Sequence, residues 1–464
     1  MPDTKPAPTH TLLIHQAFTT PNDAGGTRHY ELAQCVIANG DRFSVVASDF
    51  GYLSAKHMAG SIGGREEIID GIRVLRVATS RSMHRGFAGQ LLSFLTFASS
   101  SLIAALRVRD VDVVLATTPP IFQAVTAWLV AAVRRRPLIL EVRDLWPEFI
   151  VDMGKLRNPI AIAFARRLER FLYARADSFI VNSPAYVGYL EGKGVERRRI
   201  TLIPNGVSPE MFADDADNTD AARSVRARFS LGEKFIAMYA GAMGPANDLE
   251  VLLDAASALR DDDRIHIMLV GDGKVRKQLE ASARTRGLTN VTFVGPQTKT
   301  DVRAFLKAAD VCVATLRNIA MFRMTYPNKV FDYLAAGRPV VLGIDGVIRD
   351  VVERAEGGVF VPPGDSGALA DAIRELAKNP DRCREMGRRG REYVQRHFDR
   401  RDHGELFTAV LRRAASRGKL FENDQVPEPR TISTDPDLSG NGSGMSGIHA
   451  LNSSTARRAP SHEL

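Results

Sequence analysis

Cysteine is scarce in this chain. Cys35, Cys312 and Cys383 are the only three in 464 residues. They sit in apolar or helical surroundings with no short pairing spacing. That excludes a disulfide framework and a cysteine zinc site, and points to buried thiols in a reducing compartment. The stretch Met1-Pro2-Asp3-Thr4-Lys5-Pro6 lacks the apolar core of a secretory signal. No run reaches the uninterrupted apolar length of a membrane span; the nearest, 122–133, reads as a buried helix. A cytoplasmic protein is expected, with at most a peripheral hold on the inner face of the plasma membrane. No G-x-G-x-x-G follows the first strand, so the dinucleotide fingerprint is absent. No short internal repeat is visible. Basic residues are spread among helices instead of alternating with exposed aromatics, which sets nucleic acid aside as a partner.

Hydrophobic residues make up 44% and charged residues 25% of the chain, a globular balance. The length exceeds one ordinary core, so two domains plus extras are expected. The net charge of +8 suits phosphorylated substrates or anionic lipid without choosing between them.

The order of elements is more specific. A strand at 11–15 runs into a loop ending Asp23-Ala24-Gly25-Gly26-Thr27-Arg28, then a helix at 30–39 and a strand at 43–47. That is a Rossmann-like opening, and adjacent glycines before a helix let a phosphate or sugar approach the backbone. Residues 51–66 read as a loop, and strands follow at 72–77, 111–116, 137–142, 178–182 and 199–203. The segment 81–109 has basic ends, Arg81, His84, Arg85, Arg107 and Arg109, around an aromatic-rich helix. It fits either a membrane interface or a core helix with solvated ends. Pro204-Asn205-Gly206-Val207 is a turn, and the polar, acidic run at 208–222 marks a boundary. A second alternation then begins, with strands at 235–240, 265–270, 291–294, 311–314 and 358–361. Its glycine loops are Gly241 to Asn247 and Gly271-Asp272-Gly273. The chain therefore divides into a flexible 1–9, an α/β domain at 10–205, a second at 206–385, helices at 386–420 and a disordered tail at 421–464. A pair of such sheets makes a cleft.

Two stretches carry chemistry. The first is 326–341: a loop, a helix with Val330, Phe331, Leu334 and Ala335 on one face, a stop at Gly337 and Pro339, and a strand. Asn328 and Lys329 at the helix start make a phosphate cradle, and Asp332, three residues on, can accept from ribose hydroxyls or pair with Lys329. The second is Glu141-Val142-Arg143-Asp144-Leu145-Trp146-Pro147-Glu148, at the C-terminal end of a strand, where open α/β sheets bind ligands. Asp144 and Glu148 can accept protons or sugar hydroxyls, Arg143 can hold phosphate, and Trp146 can stack on a sugar.

Together the Gly25-Gly26 loop, the Ile203-Pro204-Asn205-Gly206-Val207 hinge, Tyr239-Ala240-Gly241, Val270-Gly271-Asp272-Gly273 and the stretch 328–341 resemble glycosyltransferase family 4, retaining sugar transferases of GT-B fold. The cluster at 141–148 looks like a subgroup building bacterial surface polysaccharide, N-acetylfucosamine-type transferases included. The resemblance implies two facing Rossmann-like domains with C-terminal helices packing back toward the first. It implies a nucleoside-diphosphate sugar, UDP-linked, on the second domain and a saccharide or polyprenyl-linked acceptor on the first, without a metal or other cofactor. Gly25, Gly26, Arg28, Asn205, Gly241, Asn247, Gly271, Asp272, Gly273, Arg317, Asn328, Lys329 and Asp332 would hold the donor. Glu141, Arg143 and Trp146 would hold the acceptor, and Asp144, Glu148 and Lys329 would serve the chemistry. Three departures stand out. The family's Glu-x7-Glu pair becomes Met324 and Asp332. Asn247 replaces a basic diphosphate contact, for which Lys329 and Arg317 are the substitutes. The turn Thr117-Thr118-Pro119 lacks a histidine. A nucleotide-sugar 2-epimerase and a non-catalytic nucleotide-sugar-binding scaffold remain open beside the transferase.

Overall fold

The computed structural model describes residues 7–23, 25–49, 65–80, 82, 86–208, 212 and 216–416. The expected tail at 421–464, most of the loop at 51–66, and Arg81, His84 and Arg85 lie outside the described residues.

The N-terminal sheet has eight strands: β1 (His10–Ile14), β2 (Arg42–Ser48), β3 (Arg65–Ile69), β4 (Ile72–Val77), β5 (Val113–Thr118), β6 (Leu138–Val142), β7 (Ser178–Val181) and β8 (Ile200–Leu202). Their order is β3-β4-β2-β1-β5-β6-β7-β8, parallel throughout except for β3. The inner strands are apolar runs buried on both faces, as a sheet covered by helices on both sides requires. β3 is the exception in sequence as well: Arg-Glu-Glu-Ile-Ile pairs antiparallel at the charged edge, where alternation alone reads as loop.

One face carries α1 (Arg28–Ala38) and the other α2 (Gly86–Arg107) and α3 (Phe122–Arg134), with α5 (Pro159–Arg175) beside α3; the short α4 (Glu148–Asp152) precedes α5. α6 (Pro184–Gly192) lies against β7 and β8. α2 contains, at Ala88–Arg107, a stretch long and apolar enough to cross a membrane, with mean hydropathy 1.5. This corrects the expectation that no segment reaches that length: scattered serines hide the run from a search for unbroken apolar sequence.

After α7 (Ala216–Arg228), the second sheet comprises β9 (Phe235–Ala240), β10 (Ile265–Val270), β11 (Val291–Gly295), β12 (Val311–Thr315), β13 (Val340–Gly343) and β14 (Gly358–Phe360), in the order β11-β10-β9-β12-β13-β14. All its pairings are parallel. This is the doubly wound Rossmann order, reversing between β9 and β12; the first sheet reverses between β1 and β5. Helices α8 (Glu250–Ala258), α9 (Arg276–Thr285), α10 (Lys299–Ala308), α11 (Asn328–Ala335), α12 (Val347–Arg354) and α13 (Ser366–Lys378) cover it.

Two helices follow. α14 (Pro380–His397) packs on α11, so the boundary drawn at 385 falls inside a helix of the second domain. α15 (Arg400–Ala415) packs on α1 of the first domain, with Phe407 against Phe43 and Arg412 Nε 2.8 Å from Asp41 Oδ2. The two places where the chain passes between domains are joined: Val207 N donates to Phe398 O and Arg400 N to Val207 O, both 2.8 Å. Gly206 lies so close beneath that corner that a Cβ would stand 2.6 Å from Phe398 O.

Candidate functional site

Between the sheets lies a cavity of about 310 Å³, lined from both domains. Its walls are the C-terminal strand ends and the helices that start there. From the first domain come Gly26, Thr27, Arg28 and Glu31 after β1, Arg143, Asp144 and Phe149 after β6, and Asn182 after β7. From the second come Ala246 after β9, Lys299 after β11, Leu316 and Phe322 after β12, and Asn328 and Asp332 of α11. Asn205 and Gly206 of the hinge and Arg400 of α15 close the floor. Two helix N-termini, of α1 and α11, therefore open on one cavity, each offering free backbone N–H groups and a positive dipole end.

The buried network beneath α1 explains how the first wall is held. Arg28 Nε lies 2.9 Å from Glu141 Oε1, and its other nitrogens donate to Pro204 O (2.6 Å) and Ile203 O (2.7 Å). His29 Nε2 donates to the other Glu141 oxygen, and Arg143 donates to His29 Nδ1 at 3.4 Å, the arrangement of a neutral imidazole. Burial pushes the Glu141 carboxyl up, but the neighbouring His29 and Arg28 outweigh it and hold it well below its ordinary range. Glu141 is fully buried with both oxygens occupied, so its expected acceptor contact is corrected: it anchors Arg28 and His29. Arg28 does line the cavity, with its charge already compensated.

Asp144 differs. It lines the same cavity, makes no side-chain hydrogen bond among the described residues, and burial raises its carboxyl to about 6 against the opposing pull of Arg143. Glu148 turns away to a two-pronged pair with Arg166 at 2.9 and 2.8 Å, and Trp146, half-buried against the core, packs edge-on on Phe122. Neither lines the cavity, which corrects the roles expected of both. Arg143 does line it.

In α11, Lys329 and Asp332 do not pair with each other, and of the two only Asp332 lines the cavity; Lys329 and Asn247 lie behind its lining. Lys329 Nζ donates to Asn247 Oδ1 (2.6 Å) and Tyr239 Oη (2.8 Å). Among the described residues no carboxylate pairs with it, and burial pulls its amine down to about 7. Asp332 instead takes Lys299 Nζ on both oxygens at 2.7 Å, with Asn328 Nδ2 at 3.1 Å. Asn205 Nδ2 donates to Tyr326 O at 2.7 Å, tying the hinge to the start of α11.

The glycine loops serve packing. A Cβ on Gly271 would collide with the Gly241 carbonyl, and one on Gly273 would stand 2.5 Å from Met243 O. Met243 N donates to Asp272 O at 2.8 Å, so the loops after β9 and β10 brace one another. Gly25, Gly241, Gly271, Asp272 and Gly273 do not line the cavity; nor does Arg317, which is exposed beside it. Met324 ends a short 3₁₀ turn (Ala320–Met324); its side chain packs on the N-terminal core and its carbonyl accepts from Ser183 Oγ at 2.5 Å.

Four charged or amide-bearing cavity residues escaped the sequence reading. Lys299 opens α10 and Asn182 directly follows β7, so both are recoverable from the rule that strand C-terminal ends carry ligands. Glu31 and Arg400, 2.8 Å apart, come from opposite ends of the chain, and no local signal links them.

Residues 24–206 match a glycosyl transferase 4-like domain, and residues 234–379 match the glycosyl transferases group 1 domain. "Probable glycosyltransferase WbjE" of Pseudomonas aeruginosa is 24% identical over 347 residues, covering 74% of this chain and 83% of that protein. The O-antigen chain mannosyltransferase C of Escherichia coli is 26% identical over 246 residues, 52% of this chain and 59% of that one. Among solved structures, Anabaena HepE in complex with UDP-glucose superposes with a TM-score of 0.65 at 18% identity, covering 87% of this chain and 99% of that chain. That likeness is one of fold.

Proposed function

With a glycosyl transferase 4-like domain followed by a group 1 domain on two facing Rossmann-like sheets, the chain belongs to the GT-B glycosyltransferases, and from that premise we propose that it moves a sugar from a UDP-linked donor to a saccharide or lipid-linked saccharide acceptor, retaining the anomeric configuration, in surface-polysaccharide assembly. The relatives' names support the pathway, and the HepE complex supports the donor.

The observation that carries this reading is the division of labour across the cavity. The second wall offers the α11 N-terminus and, just behind it, Lys329, an amine with no carboxylate partner among the described residues, suited to a diphosphate. Asp332, with Lys299, suits the ribose hydroxyls. The first wall offers Asp144, which is ionised near neutrality and meets the cavity. As the sugar C1–O bond to the diphosphate breaks, the α1 amides and Lys329 stabilise the charge growing on the leaving phosphate. The acceptor oxygen, oriented by Asp144, forms the new bond to C1 on the same face. Its proton passes to the departing phosphate oxygen. The donor sugar we favour is a deoxy or N-acetylated hexose, because Met324, at the position of the family's first acid, turns its side chain into the N-terminal core and presents no carboxylate to a sugar hydroxyl. We place the reaction at the cytoplasmic side of the membrane.

The test is transfer of radiolabel from a panel of UDP- and GDP-sugars into lipid extract by the purified protein. Transfer from a UDP-sugar is expected. A folded protein that neither transfers nor hydrolyses any donor in the panel would overturn the reading. Deuterium entering the sugar at C2 would replace it with epimerisation.

A further inference from the structure

Among the described residues, large apolar side chains stand exposed at eight positions, and seven of these belong to α2, α3 and α5. The three helices are neighbours in one layer: Phe94 of α2 meets Phe122 of α3 at 6.0 Å, and Trp128 of α3 meets Phe171 of α5 at 4.8 Å.

α2 is built inside out. Its inward stripe, at four-residue spacing, is Ser93, Phe97, Ser101 and Ala105, all at most 1% exposed. Its outward stripe is Leu92, Leu95, Ile103 and Leu106, between 40% and 57% exposed. A helix that only covered a sheet would reverse these assignments. At the start of α5, Ile160 and Phe164 stand 80% and 66% exposed.

The charge on the three helices is mostly of one sign. α2, α3 and α5 together carry six arginines and a single acid, Glu169, which is buried and bonded to Lys193 and Tyr189. Arg109, Arg135 and Arg136 stand at the far ends of α2 and α3 beside Asp110 and Asp112, Asp112 being 3.8 Å from Arg136, and Arg166 is paired with Glu148, so an arginine excess remains after these pairs. A second copy of this chain would oppose arginine to arginine across a symmetric contact, and nucleic acid would leave the apolar stripe without a partner. An anionic bilayer surface satisfies both halves: apolar side chains enter the headgroup region and guanidinium groups meet lipid phosphates.

We propose that the α2–α3–α5 face of the N-terminal domain seats on an anionic lipid surface. The seating stands on this face alone; its use, presenting a membrane-held acceptor to Asp144, rests on the transferase reading. α4 bridges the two: Phe149 at its start lines the cavity, and α5 begins at Pro159.

The experiment is flotation of the purified chain with vesicles of phosphatidylcholine, with and without phosphatidylglycerol, at low and high salt. Leu95→Ser with Ile103→Ser, Phe164→Ser, and Arg167→Glu with Arg170→Glu are run beside it, folding being checked by circular dichroism. The wild type is expected to float with phosphatidylglycerol vesicles and to be released by salt, with each altered chain binding about tenfold more weakly. Transfer to a water-soluble acceptor should stay unchanged in all of them. A wild type that fails to float, binding indifferent to the apolar substitutions, or light scattering that reveals a dimer dissolved by them would overturn the proposal. Flotation without transfer from any donor would instead overturn the transferase reading and leave this one standing.

Discussion

Lys329 Nζ lies 2.6 Å from Asn247 Oδ1, joining the first turn of α11 to the glycine loop after β9. Asn247 is therefore a holder for the lysine. A diphosphate arriving at Lys329 would restore the proton that burial, which pulls the amine down to about 7, makes easy to lose. Above pH 7, UDP binding is then expected to take up a proton and to weaken as pH rises. Below it, Lys329 is protonated before and after binding and adds no pH dependence. Calorimetry in two buffers of different ionisation heat reads the uptake directly. Lys329→Met should abolish it and weaken UDP by roughly 10- to 100-fold, the range for a lost hydrogen bond to a charged group. The stability sign is also fixed: between about 7 and the unfolded value the native chain binds fewer protons than the unfolded one, so this residue's contribution rises with pH there. Binding without proton uptake at pH 8 would remove Lys329 from the diphosphate.

Asp144 should show opposite effects on activity and stability. Burial raises its carboxyl to about 6, so transfer, which uses the carboxylate, should climb with pH through about 6. Between the unfolded value and about 6 the native chain binds more protons than the unfolded one, so stability falls as pH rises through that window and stays lower above it. Asp144→Asn is therefore expected to lose about 10²-fold in kcat, the scale of a misplaced acceptor, and to lose the limb near 6. It should also melt higher than the wild type at pH 7 and equally at pH 4. A variant that is inactive but destabilised at pH 7 would make Asp144 a structural residue.

Glu141, three residues earlier, should behave in the reverse way. Glu141→Gln leaves Arg28 without its counter-charge in a fully buried site and weakens the acceptor of His29, which costs on the order of 3–5 kcal/mol. Urea titration should show that loss. Glu148→Gln is the control: its partner Arg166 is half exposed, so stability should move by less than about 1 kcal/mol. Equal effects from the two glutamates would contradict the assignments.

The sequence displays the fold well because both sheets are buried on both faces. Their strands are apolar runs such as Leu12-Leu13-Ile14 and Ile265 to Val270, and each strand-to-helix passage carries a turn signal. The charged edge strand β3 lacks that pattern and was hidden. The cavity is partly legible for the same reason: Arg143, Asp144, Asn328 and Asp332 follow strand ends or open helices. Which way a side chain turns is not local. Glu148 meets Arg166 eighteen positions away in sequence, and Lys299 rather than Lys329 meets Asp332, because tertiary packing brings those partners within reach. The Glu31–Arg400 contact depends on α15 returning to α1, allowed by Gly404, whose missing side chain leaves space for Cys35 Sγ.

Met324 separates two accounts of the donor pocket. If this position only lacks the acid that related enzymes direct at the sugar, Met324→Glu should improve transfer from sugars with a free hydroxyl there. The geometry argues otherwise. Phe322 meets Phe149 edge-on at 5.7 Å, Met324 O accepts from Ser183 Oγ, and Tyr326 O accepts from Asn205 Nδ2, so this segment clasps the two domains together. A glutamate side chain at 324 would press a carboxylate against the apolar N-terminal core, at a cost of about 1–3 kcal/mol. The expected result is a lower melting temperature and a KM raised for donor and acceptor together, with the ranking of UDP-sugars by kcat/KM unchanged. A gain confined to one class of sugar would show that the clasp tolerates the acid and that residue 324 reads the donor.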